Sequence, residues 1–141
     1  MTPYAKANDQ YLVQRVMGAS PEQLVALLLE GAQRFLTQAV QAIGRKDYAA
    51  KGQSLNKVSA ILEELEVRLD LEQGGELAQN LFRVYDWWSH EVMEASASLD
   101  PSRLERVSAQ MGDMRQSWEQ SFQKRIGAAA SSGFQVGTLV G

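Results

Sequence analysis

Cysteine is absent from this 141-residue chain, which removes disulfides, thiolate nucleophiles and every zinc site built on a thiolate. One histidine, His90, is present, so most of the remaining catalytic and metal-ligating constellations fall away too. Prolines stand at positions 3, 21 and 101 alone, and nothing forbids helix between residues 22 and 100. No apolar run approaches the roughly 18 residues of a membrane span. The N-terminal MTPYAKANDQ lacks the apolar core of a signal peptide. Basic residues are not in surplus: 14 Lys and Arg against 17 Asp and Glu leave a formal charge of −3. Nothing here would attract a phosphate backbone, so nucleic acid is not an expected partner. What remains is 45% hydrophobic and 22% charged, the composition of an ordinary globular domain with room for one core. A cytoplasmic, non-redox protein with no membrane insertion is expected.

Punctuation divides the chain at regular intervals. Ser20-Pro21-Glu22-Gln23 combines a capping residue, proline at the first helical position and Gln three residues after the Ser. Gly44 stands where a left-handed helix end is expected. Asp47 can cap a second helix, Gly74-Gly75 closes it, and Asp100-Pro101 repeats the cap-plus-proline signal. Four helices are predicted, at about 21–43, 48–71, 76–98 and 101–125.

Apolar spacing supports them. Leu55, Val58, Leu62, Leu65 and Leu69 step by three and four, as do Leu104, Val107, Met111, Met114 and Trp118. The third helix repeats the pattern through Leu77, Leu81, Val84, Trp88, Val92, Ala95 and Leu99. Such spacing packs helices nearly antiparallel, and the short links force neighbours to reverse. The predicted fold is all-α: an antiparallel up-down four-helix bundle over residues 20–125, preceded by an apolar arm (1–19) and followed by a flexible Gly-rich tail (126–141).

Some apolar residues exceed what that core needs. The first helix centres on Leu24, Leu28 and Phe35, yet also carries Leu27 on one side and Leu29, Leu36 and Val40 on the other. An arc this broad calls for an additional cover, and the arm is the nearest candidate. On the third helix Phe82 and Met93 fall on one flank and Trp87 on the other. On the second, Ile61 sits at the edge of the stripe and Val67 well off it. Several large apolar groups off the stripe on adjacent helices favour a binding groove.

Catalysis finds no foothold. Asp86, His90 and Glu94 share one face of the third helix, but a bundle metal site needs Glu-x-x-His motifs projecting inward from two helices. They read as a solvated face, as does Glu63-Glu64-Glu66. Gly74-Gly75 follows no strand and precedes no Lys-Ser/Thr, so it is no phosphate loop. No catalytic residue, metal or cofactor is expected.

The ordered set of short matches resembles the FliS family of flagellin-specific export chaperones over about residues 4–122. It consists of Tyr11 with Val16, Ala19-Ser20-Pro21-Glu22-Gln23-Leu24, Glu30-Gly31-Ala32 before Phe35-Leu36, and Lys46-Asp47-Tyr48. There follow Leu69-Asp70, Gly74-Gly75-Glu76-Leu77-Ala78-Gln79-Asn80-Leu81, Val84-Tyr85-Asp86, Ala95 and Trp118. Leu29-Glu30 stands where the family often has an aromatic and Asp, Trp87 stands where it commonly has Tyr, and the Gly-rich ending is additional. The resemblance implies a cytosolic chaperone that binds the disordered C-terminal segment of flagellin 1:1, prevents premature polymerisation and delivers it to a component of the flagellar export gate. The groove expected for that segment comprises Ile61, Leu65, Val67, Phe82, Tyr85 and Trp87. Tyr4, Tyr11 and Val16 are expected to form a displaceable N-terminal cap. The alternative is a structural bundle that uses the same apolar surface to form a homodimer when free.

Overall fold

A computed structural model describes residues 17–131. It contains α1 (Pro21–Gly44), α2 (Tyr48–Val67), α3 (Gly75–Ser98) and α4 (Pro101–Ser131), with no strand among the described residues. The capping signals do what their chemistry allows. The Ser20 amide donates to Gln23 Oε1 at 2.9 Å and the Gln23 amide to Ser20 Oγ at 3.2 Å, which satisfies two orphan donors of α1 reciprocally. Asp47 Oδ1 accepts from the Ala50 amide at 3.1 Å to start α2. Ahead of α4, Asp100 Oδ1 accepts from the Ser102 hydroxyl at 2.6 Å and the Ser102 amide at 3.0 Å. These bonds, the hydroxyl first, hold the Asp100 carboxyl below its ordinary range.

Three helix ends differ from expectation. The left-handed residue after α1 is Lys46 (φ 62°), not Gly44. The Lys46 amide bonds Ile43 O and the Asp47 amide bonds Ala42 O, a reversal that must be complete before Asp47 can cap α2. The second helix stops at Val67 rather than residue 71. Asp70 Oδ1 accepts from the Glu72 and Gln73 amides at 3.2 and 3.0 Å, and this side-chain turn draws the backbone out of the helix. The last helix continues to Ser131, past the expected bound at 125 and into the segment read as tail.

The described residues fall into two compact units: residues 28–114, and residues 17–27 with 115–131. In the second, Ala26 is buried, Leu24 and Trp118 are half-buried, and Arg115 pairs with Glu119 at 3.9 Å. In the first, each helix is tied to two others. Gly31 of α1 faces Ile61 of α2, where an added Cβ would stand 3.6 Å from Ile61 Cδ1. Lys51 of α2 donates to Ser96 O of α3 at 3.1 Å. Arg103 of α4 pairs with Glu91 of α3 at 3.1 Å. The Gln33 amide of α1 donates to Ser108 O of α4 at 2.9 Å. These four seams define the antiparallel up-down bundle.

Its core is Leu29, Ala32, Leu36 and Ala39 from α1; Leu55, Val58, Leu62 and Leu65 from α2; Tyr85, Trp88, Val92 and Ala95 from α3; and Leu104, Val107 and Met111 from α4. The α1 face is therefore not the one centred on Leu24, Leu28 and Phe35, which are half-buried. It lies about 100° round, where alanines let neighbouring helices approach closely. In α3 the inward stripe begins at Ala78 and passes through Tyr85, while Leu77 is 65% exposed.

Candidate partner-binding surface

The six residues expected to form one groove are distributed over several places in the bundle. Leu65 and Tyr85 are each 1% exposed and belong to the core. Ile61 is half-buried in the α1/α2 seam. Val67 is exposed at the last residue of α2. Phe82 and Trp87 are both exposed on α3, but five residues of helix separate their directions by about 140°. No single surface holds all six. Tyr4, Tyr11 and Val16 lie outside the described residues.

Trp87 opens onto a depression in the surface. A groove of about 640 Å³ runs between α3 and α4, lined by Arg83, Val84, Trp87 and Trp88 on one side and Gln110, Asp113 and Met114 on the other. Its floor is Trp88, whose indole N–H donates to Gln110 Oε1 at 2.9 Å and whose ring sits 6.0 Å from that of Tyr85 at a 45° tilt. Both contacts immobilise the indole, since a buried ring N–H needs an acceptor and tilted aromatic pairs attract. Arg83 stands at the rim and donates to Asn80 Oδ1 at 2.9 Å. The Arg103–Glu91 pair lies on the side of the α3–α4 turn.

A smaller groove, about 350 Å³, runs along the α1/α4 seam past Leu36, Val40 and Leu104. Beside it, Gln33 approaches Gly112 so closely that an added Cβ would stand 2.9 Å from Gln33 Nε2. Sequence reasoning assigned Val84 and Met114 to the core and passed over Gln110. A mid-helix Gln carries no pattern of its own, and the signal that marks it, a buried indole on the next helix, requires knowing which helices adjoin.

The opposite flank of α3 is acidic. Burial first, then Asp86 and Glu63, raise the Glu66 carboxyl above its ordinary range. His90 is exposed, with Nδ1 2.9 Å from Asp86 O of its own helix. Among the described residues no three His, Cys, Asp or Glu converge on a point that could hold a metal. None of the described helices is long and apolar enough to cross a membrane.

The family described as "Flagellar protein FliS" matches residues 4–125. The chain belongs to the FliS family. FliS-family relatives include the "Flagellar secretion chaperone FliS" of Salmonella typhimurium, 35% identical over 117 residues that cover 82% of this chain and 87% of the relative. The "Flagellar secretion chaperone FliSB" of Pseudomonas aeruginosa is 36% identical over 118 residues, covering 81% of this chain and 94% of the relative. A crystal structure of a bacterial flagellar chaperone has the same fold, with a TM-score of 0.70 at 17% identity over 86% of this chain and 99% of that one. FliS proteins are chaperones of flagellar secretion and not enzymes.

Proposed function

We propose that this FliS-family chain binds the C-terminal segment of flagellin in the cytosol with 1:1 stoichiometry, keeps it from polymerising, and hands it to a component of the flagellar export gate. One observation carries the reading: large apolar side chains stand exposed on the outside of a tied bundle, with Phe82 at 37%, Trp87 at 45% and Met93 at 67%. Exposed aromatics cost solvation unless a partner covers them. A disordered segment that folds on binding can supply amphipathic helices to such seams, placing anchors at i, i+3, i+4 and i+7. Phe82 and Trp87 are the proposed anchors, with Ile61 and Val67 as flanking contacts. Leu65 and Tyr85 support them from within the core.

Calorimetric titration of purified flagellin into the full chain tests this. One site per chain is expected for intact flagellin, and no measurable binding for flagellin lacking its C-terminal segment. Equal binding of the truncated form sinks the assignment of the partner element. Phe82→Ala and Trp87→Ala should each weaken binding by more than about 1 kcal/mol, as truncation of an interface anchor does.

A further inference from the structure

Trp88 supplies the α3/α4 groove with a floor that has one polar requirement. At 1% exposure its indole N–H cannot turn to water, and the acceptor comes from the adjacent helix, Gln110 Oε1 at 2.9 Å. An indole held only by packing can pivot about its χ angles, whereas a bond to a second helix fixes its edge. The ring is thus held at two places, by Gln110 at the N–H and by Tyr85 at 6.0 Å across its face. Gln110 belongs to both structures. It is half-buried, it lines the groove, and Met114 stands one turn further along the same face of α4.

We propose that Gln110 is a positioning residue for partner recognition: by holding Trp88 it fixes the floor on which a docked helix seats its apolar anchor, with Trp87 as the wall. This rests on the flagellin reading above, and the occupant is the amphipathic helix that the flagellin C-terminal segment forms on binding. The groove specifies that helix chemically. An aliphatic side chain meets Val84, Trp87 and Met114, and an acidic side chain on the same helix is placed against Arg83 on the α3 side, because Asp113 on the α4 side repels it. Arg83 is exposed and uses one N–H on Asn80, whereas a guanidinium carries five, so it can take a carboxylate without giving up the contact it has.

The test is calorimetry of the full chain with a synthetic flagellin C-terminal peptide, for the wild type, Gln110→Leu, Gln110→Glu, Trp88→Phe, the Trp88→Phe/Gln110→Leu pair and Trp87→Ala. Gln110→Leu should raise Kd about fivefold, because an indole released from its second anchor has to be re-ordered when the helix docks. Gln110→Glu keeps an acceptor and should stay within about twofold of wild type. In Trp88→Phe, which has no N–H to satisfy, adding Gln110→Leu should change Kd by less than about twofold, because coupled residues lose their effect together. A wild type that binds while Gln110→Leu binds equally well overturns the positioning role and leaves the flagellin reading standing. A wild type that does not bind overturns that reading first, and the positioning role with it. Should Gln110→Leu fail to fold, Trp87→Ala decides: a surface truncation that leaves Kd unchanged shows that no anchor sits in this groove, and the proposal falls.

Discussion

Burial changes the acid–base chemistry of Tyr85. At 1% exposure, desolvation pushes its phenol from 10.0 up to about 12. The folded state keeps the neutral form, while an unfolded tyrosine ionises near 10. The resulting stabilisation is complete below pH ~10 and is lost as pH climbs to about 12, an effect of about 2–3 kcal/mol at 1.36 kcal/mol per unit. Tyr85→Phe, which keeps the ring and cannot ionise, should unfold in urea within about 1 kcal/mol of wild type at pH 7. Between pH 9 and 11.5 it should lose less stability than wild type does. Parallel losses in the two proteins would mean that the phenol ionises as easily inside as outside. His90 is the opposite case: its side chain is 71% exposed and bonded within its own helix. His90→Ala should leave flagellin binding intact and stability within about 0.5 kcal/mol. A stoichiometric metal that disappears with this substitution would contradict the chaperone reading.

Adjacent glycines at the start of α3 serve different physical needs. Gly74 has an ordinary φ of −73°, but an added Cβ would collide with the Asp70 carbonyl oxygen and stand 2.6 Å from Ala78 Cβ. Gly75 has open space around it and a φ of +63°. Gly74→Ala should cost roughly 1–3 kcal/mol through overpacking, and Gly75→Ala about 1 kcal/mol through left-handed strain. Lys46→Gly, relieving the same strain after α1, should raise the unfolding midpoint. The starts of α1, α2 and α4 were legible in the sequence because a cap is local: Ser20, Asp47 and Asp100 act within three residues of themselves, whereas α3 begins after Gly74 with no side-chain cap. The end of α2 was not legible, since the Asp70 turn competes with a helical pattern that runs on to Leu69. The face of α1 was misjudged for a different reason. Weighting by side-chain size favours Leu28 and Phe35, whereas packing distance favours Ala32 and Ala39. Surplus apolar residues such as Phe82, Trp87 and Met93 could be recognised one helix at a time. Their distribution over separate seams could not, because that depends on how α3 is rotated against both neighbours.

For the whole molecule, the two uses of the exposed apolar surface make opposite thermodynamic predictions. If the free chain covers Trp87 and Phe82 by pairing with a copy of itself, stability depends on its own concentration, since dissociation accompanies unfolding. A tenfold dilution should then lower Tm. If the surface stays uncovered until flagellin arrives, Tm is unaffected by dilution and rises with added C-terminal segment instead. At a free segment concentration about a hundredfold above Kd, the gain is about 2.7 kcal/mol, which for a chain of this length corresponds to roughly 3–5 °C per kcal/mol. The chaperone reading predicts the second pattern. Trp87→Ala sharpens the contrast: it should shrink the segment-induced shift while leaving the Tm of the free protein nearly unchanged, because a side chain 45% exposed contributes less to the fold than to what covers it. A free chain whose Tm falls on dilution, and whose dilution dependence vanishes in Trp87→Ala, would show instead that this surface is a homodimer interface.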